Sequence, residues 1–371
     1  MTYKSIIYLS ILSVLVFACK PNAEKHLAED IDSTSVEEES FAVIKPTVIT
    51  ESVKYDSDDP AIWINKDNPE LSMIIGTDKG GDEGDGALYA FDLEGKIIKE
   101  KTVRNIARPN NVDIAYGLML NGKATDIAVC TERYTNSIRA FSLPDMKPVD
   151  NGGIEIFKNE TLRDPMGIAL YTDGATGKIY AITGRKSGPH DGSYLWQYLL
   201  EDDGNGYIKA TLVRKFGSFE GDEIEAIAVD SENGYIYYSD EGIGVRKYYA
   251  HADSSNVELA LFGSGDLFTE DNEGISIYKN NDGTGYIIVS DQQANIFHFF
   301  TREGSGDNPH DHVLMKSIHA STLESDGNDV TSFAIGSRFP KGFFVAMSDD
   351  KTFQLYDWRN IEPEKNKTPI H

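Results

Sequence analysis

A pattern that recurs six times from residue 47 onward constrains the fold more than any other feature of this chain. A polar, often acidic, residue opens every copy but the third, which opens on Met166; a short apolar run, a turn, and a second and stronger apolar run follow. Asp59-Pro60-Ala61-Ile62-Trp63 leads to Met73-Ile74-Ile75-Gly76-Thr77-Asp78. In the same way residues 111–114 lead to 126–132, 166–170 to 179–184, 225–229 to 236–241, 273–277 to 286–291, and 329–333 to 343–349. The copies are spaced by roughly 50 residues, the length of a unit of four short strands. Third runs such as 87–91 and 194–198, and fourth runs such as 210–213, fill most units. A β-helix repeats at a shorter period and a sandwich shows none. The chain therefore reads as all-β, a six-bladed β-propeller. Its 19 Tyr, 17 Phe and 33 Gly favour strands and tight turns.

In a propeller the first strand of each blade lines the central channel, and the starts of these strands gather at one mouth. Those positions read Asp58-Asp59, Asn110-Asn111, Asp164, Glu225, Asp271 with Glu273, and Asp326 with Asp329. The ends of the second strands add Asp78, Glu132, Asp240-Glu241, Asp291 and Asp349-Asp350. Packed carboxylates repel one another, so a compensating charge is required. Hard divalent cations supply it, and Ca2+ tolerates many oxygens in irregular geometry. These positions carry no His or Cys, which argues against zinc. The competing reading is that the acids are solvated turn residues. It is weakest for Glu225, Glu241 and Glu273, because Glu has no turn preference.

Cations stand among these acids at Lys79, Arg133, Arg185 and Lys186. Calcium with Arg and Lys around one mouth makes a polyanion site, and phosphate is its natural ligand. The alternative is surface pairing with neighbouring acids. The Gly-rich segment 79–86 is acidic and reads as a flexible hairpin loop rather than a phosphate cradle. His190, His310 and His312 lie in loop sequence without catalytic spacing.

The net charge of −25 excludes a nucleic-acid binder, which needs Lys and Arg to neutralise phosphates. At the N-terminus Lys4 precedes an apolar run over 6–17 that is short for a membrane span. It ends in Val16-Phe17-Ala18-Cys19, which resembles a bacterial lipobox. The expected organisation is a lipoprotein signal peptide over 1–18, a lipidated Cys19 with a disordered acidic tether over 19–46, and the propeller over 47–371. An ordinary signal peptide or an uncleaved anchor is the other reading. Lipid on Cys19 holds an exported protein on a membrane surface of the bacterial envelope. Lys20 favours the outer membrane. Cys130 then has no disulfide partner, and its apolar run 127–130 makes it a buried side chain rather than a nucleophile. Protected strand edges predict a monomer.

Asp58-Asp59-Pro60-Ala61-Ile62-Trp63, Asn110-Asn111-Val112-Asp113, Glu225-Ala226-Ile227-Ala228, Asp271-Asn272-Glu273-Gly274 and Ser325-Asp326-Gly327-Asn328-Asp329 resemble the signature segments of the β-propeller phytases. The resemblance runs in order to residues 357–361. It implies a phosphoric monoester hydrolase of the 3-phytase type, with several Ca2+ ions and with phytate or calcium-phytate as substrate. Asp58, Glu225, Glu241, Asp271 and Glu273 are implied to hold calcium, and Asp59, Asp240 and Asp326 complete the expected metal set. Lys79, Arg133 and Arg185 are implied to grip phosphate, joined by Lys186 and Asn111. Glu225, Glu241, Lys79 and Arg133 are the residues expected to carry catalysis. The implied mechanism is attack of a metal-bridging water without a covalent intermediate.

Three positions depart from the family pattern. Lys186 falls where some members carry an acid, Met166 replaces an aromatic residue, and Ala320 replaces an acidic calcium ligand of some relatives. Two other readings stay open at this point. One is a different calcium propeller hydrolase, a lactonase or esterase; the other is a non-catalytic surface propeller that binds a partner.

Overall fold

The computed structural model describes residues 42–363. The expected signal peptide, Cys19 and most of the tether lie outside the described residues. The end of the segment read as tether does not stay free: Ile44 donates its N–H to His319 O at 2.8 Å and bridges Ala320. The cause is its apolar side chain, which packs on the core beside Ala320.

Six antiparallel units follow one another along the chain, as the repeat predicts. Blade 1 comprises Ser57–Trp63, Met73–Asp78, Gly86–Phe91 and Val103–Ile106. Blade 2 begins with Pro109–Leu120 and Lys123–Glu132, blade 3 with Pro165–Thr172 and Ile179–Arg185, and blade 4 with Ile227–Asp230 and Tyr235–Asp240. Blade 5 begins with Asn272–Lys279 and Gly285–Asp291. Blade 6 takes Asn328–Thr331, Phe343–Ser348 and Thr352–Asp357 from the end of the chain, and its outer strand, Val48–Ile49, from the beginning. Val48 pairs with Leu355 and Ile49 with Gln354, so the ring is closed by strand pairing.

The blades pack face to face, which explains the unbroken apolar runs. A hydrophobic cluster lies between each pair of neighbours: Ile74 and Phe91 of blade 1 meet Phe343 and Phe353 of blade 6, and Ile127 of blade 2 meets Trp196 of blade 3. A strand covered on both faces has no reason to alternate apolar with polar residues. Met73–Asp78 is buried at every position. Cys130 is buried in the cluster between blades 1 and 2, and its thiol pKa is pushed up by that burial.

The first residues of the inner strands are irregular. Register slips between Ser57 and Pro60, Pro109 and Val112, Pro165 and Ile168, and Asn272 and Ile275. Bulges of this kind re-aim side chains at the end of a strand. Here they lie where the inner strands reach the mouth.

Candidate active site

Asp58, Glu225 and Asp326 come from blade 1 and from the segments entering blades 4 and 6, and each offers one oxygen within 4.8 Å of the others. Glu273, at the start of blade 5, and Glu241, after the second strand of blade 4, complete an acidic basin. Burial raises the carboxyl of Glu225 well above its ordinary value, and Asp58, Asp326 and Glu241 push it further up. Glu273 is raised by burial and then by Asp326 and Glu225. Glu241 is pushed up to about 8 by burial and by Glu223 and Asp271. Burial brings Asp326 to about 7, against the pull of Lys79.

Backbone proximity makes this convergence possible. A Cβ on Gly327 would stand 2.3 Å from Asp59 Oδ1 and 2.8 Å from the Asp58 carbonyl, so the entry to blade 6 touches blade 1 directly. One on Gly274 would stand 2.4 Å from the Asp326 carbonyl.

The basin is under-compensated. Asp58 Oδ1, Glu241 Oε1 and Glu273 Oε2 are buried without a hydrogen-bond donor. Lys79 Nζ lies 3.1 Å from Asp326, 3.7 Å from Asp58 and 3.8 Å from Asp56. Burial disfavours its charge, but Asp58, Asp326 and Glu225 outweigh burial and hold its pKa above the usual lysine value. One ammonium does not balance five carboxylates, and orphaned buried oxygens are costly. An all-oxygen donor set with several charges fits Ca2+.

Sequence reasoning missed two amides that organise the basin, Gln292 and Gln293, and placed a third, Asn110, at the mouth without a role. Gln292 Nε2 donates to Asp326 Oδ1 at 2.7 Å, and Asn110 Nδ2 donates to Asp58 Oδ2 at 3.1 Å. Gln293 Nε2 donates to Asp271 Oδ2 at 2.6 Å, while Gln293 Oε1 accepts from the Asp271 N–H. A signal existed: Gln292 follows Asp291 in blade 5 as Lys79 follows Asp78 in blade 1. Arg133 stands at the same place in blade 2. Its Nε is buried and unpartnered, and one terminal nitrogen donates to Met166 Sδ. Burial lowers its pKa, and Glu225 partly restores it.

The family model described as Phytase matches residues 5–357. The chain belongs to the phytase family. It is 28% identical over 330 residues to a 3-phytase of Bacillus subtilis (strain 168), covering 84% of this chain and 82% of that protein. Among solved structures, a putative 6-phosphogluconolactonase from Bacteroides uniformis resembles it with a TM-score of 0.53 over 84% of each chain. At 13% identity that likeness concerns the fold alone.

Within this phytase-family propeller, four expected site residues are placed away from the basin. Arg185 is buried in blade 3, where it donates to the carbonyls of Ser193, Tyr194 and Leu162 and lies over the Phe157 ring. Strand alternation turns it inward, and Lys186 reaches the rim instead, paired with Glu223. Asp240 accepts from Arg246 Nε at 2.7 Å and from Gly221 N at 2.9 Å, so its oxygens fasten the preceding loop. Asp78 does the same for residues 54–56 and Asp291 for Thr269. Asp59 accepts from Val112 N at 2.9 Å and lines the central channel with Asp113, Asp329 and Asn111. Asn110, not Asn111, touches Asp58. The acidic loop 79–86 is pinned through Asp85, which accepts from the Tyr55 hydroxyl and from Gly81 N.

Proposed function

We propose that this chain is a calcium-dependent phytase that hydrolyses phosphomonoesters of myo-inositol hexakisphosphate at the acidic mouth. The observation that carries the reading is the convergence of Asp58, Glu225 and Asp326 oxygens beside Lys79, in a chain of the phytase family. Asp58, Glu225, Asp326, Glu241, Glu273 and Asp271 are the residues that would hold calcium, which when bound neutralises phosphate oxygens and acidifies water.

The protein's own groups divide the remaining work. Lys79 brings a permanent positive charge to the Asp58–Asp326 edge, where it stabilises charge on a phosphoryl group. Arg133 presents a buried N–H with no acceptor in the protein, suited to a phosphate oxygen. Lys186, held by Glu223, sets the rim. Gln292, Gln293 and Asn110 fix the carboxylate orientations, because an amide donor occupies one oxygen of each and leaves the other directed elsewhere.

The reading extends to location. The Val16-Phe17-Ala18-Cys19 sequence supports lipid attachment at Cys19 and anchoring in the bacterial envelope, at the outer membrane by the residue at position 20. A mass shift of the mature protein that disappears in Cys19→Ala tests this, and an unlipidated wild-type protein refutes it. The activity is tested by phosphate release from phytate at neutral pH with calcium and again with a chelator. Calcium-dependent release is the expected result. Folded protein that releases none with calcium present overturns the assignment and returns the lactonase and binding-module readings.

A further inference from the structure

Arg108 has a left-handed backbone, with φ of 60°. That region is unfavourable for a residue with a Cβ, and the following Pro109 further restricts its conformation. The surroundings impose it. Arg108 N donates to Ile106 O at 2.9 Å, Arg133 N donates to Arg108 O at 3.0 Å, and Tyr134 N donates to Ala107 O at 3.2 Å. Ala107 N in turn donates to Glu132 Oε1 at 2.8 Å. Residues 107–108 are thus laced to 132–134, and the lacing sets Arg108 next to Arg133.

The two guanidiniums are close enough that Arg108 lowers the pKa of Arg133, and Arg108 also acts on Asp56, which neighbours Lys79. Among the described residues, no carboxylate or carbonyl accepts from the Arg108 side chain, and Arg133 has no ion pair. A strained backbone that holds one half-buried cation against another, with no carboxylate directly paired to either among the described residues, is arranged for an anion from outside. We propose that Arg108 is a further substrate-binding residue, which forms with Arg133 a two-guanidinium clamp on phosphate. Its place between Arg133 and the Asp56–Lys79 edge suits a substrate carrying several phosphates. This rests on the phosphatase reading of the basin.

The variant that separates binding from folding is Arg108→Gly, since glycine accepts the left-handed backbone without strain. Arg108→Gly is expected to melt no lower than wild type and to raise KM for phytate about tenfold, with kcat changed less than about threefold. Arg108→Lys keeps the charge but loses the fork, and is expected to recover only part of the KM. The calcium-loaded full-length protein is also titrated with myo-inositol hexasulfate, which cannot be turned over as a phosphate ester. About tenfold weaker binding by Arg108→Gly supports the clamp. Equal affinity, or no binding by wild type, overturns it. Wild type that binds hexasulfate but releases no phosphate from phytate leaves the clamp standing and removes the phytase reading.

Discussion

Glu225 and Arg133 act on each other at the mouth: burial and acidic neighbours raise the Glu225 carboxyl although Lys79 opposes them, and Arg133 keeps a buried Nε–H without an acceptor. Replacing Glu225 with Ala removes the central carboxylate of the basin, and replacing Arg133 with Ala removes the unpartnered donor. Each change is expected to lower kcat/KM on phytate by about 100-fold or more, with an unchanged far-ultraviolet circular dichroism spectrum. Full activity in both variants would refute the site.

The opposite outcome is expected for Arg185→Ala. It orphans three carbonyls inside blade 3 and should cost about 2–4 kcal/mol in denaturant unfolding, whereas Lys186→Ala on the exposed rim should cost under about 1 kcal/mol. These neighbours show where the sequence stops being legible. Asp58 and Asp59, Asn110 and Asn111, Arg185 and Lys186, and Asp240 and Glu241 are consecutive pairs. In each pair one side chain reaches the mouth or its rim and the other is spent in a blade or the channel. Composition marks the pair, but only register and bulge decide which member serves the site.

At the scale of elements, the acid that ends a second strand is a fastener. Asp78, Asp240 and Asp291 each accept backbone N–H groups from the segment preceding the inner strand. Sequence reading grouped them with the basin because their spacing follows the same repeat. Asp240 is the strongest case, since its partner Arg246 is also buried; burial opposes the Arg246 charge, but the hydrogen bonds it donates to Glu258 and Asp240 prevail and raise its pKa. Asp240→Ala takes the buried partner from that guanidinium, leaving it the more exposed Glu258 and Glu220, and frees the loop at 220–221, which precedes Glu223 and Glu225. The expected cost is about 3 kcal/mol, measured by urea unfolding, together with weaker calcium activation. An Asp240→Ala protein of wild-type stability would mean that the loop has another anchor. The strands themselves were readable, because both faces of each are buried and the apolar runs are therefore continuous.

At the scale of the whole molecule, two devices join the blades into a ring. The first is the channel lining: Asp59 accepts from Val112, Asp113 from Leu170 and Asp329 from Ile62, each linking one blade to the next. Burial raises Asp113 to about 6 and Asp329 to about 7. A carboxyl raised in the folded state stabilises the fold fully below its ordinary pKa, and the contribution is lost as pH rises through about 6 to 7. Asp329→Asn keeps an oxygen for Ile62 and removes the charge. It should therefore stabilise the protein at about pH 8, on the order of 1–2 kcal/mol allowing for partial exposure, and much less at about pH 5. Equal effects at both pH values would place the titration elsewhere.

The second device is the outer strand of blade 6, a two-residue pairing contributed by the other end of the chain. So short a run gives no sequence signal, and its partner lies some 300 positions away, so closure could be expected from the fold but not located. Thr50 flanks it with two bonds: its N–H donates to Phe353 O at 3.0 Å, and its hydroxyl accepts from Phe353 N at 2.9 Å. Thr50→Pro removes both and should destabilise the fold by about 2–3 kcal/mol. The basin takes Asp58 from blade 1 and Asp326 from blade 6, the two blades that this strand ties together. Loosening the tie should therefore raise the calcium concentration needed for half-maximal activity as well as lower Tm. A lower Tm with unchanged calcium activation would show that contacts at the mouth, such as Gly327 against Asp58, hold the two carboxylates together without the closing strand.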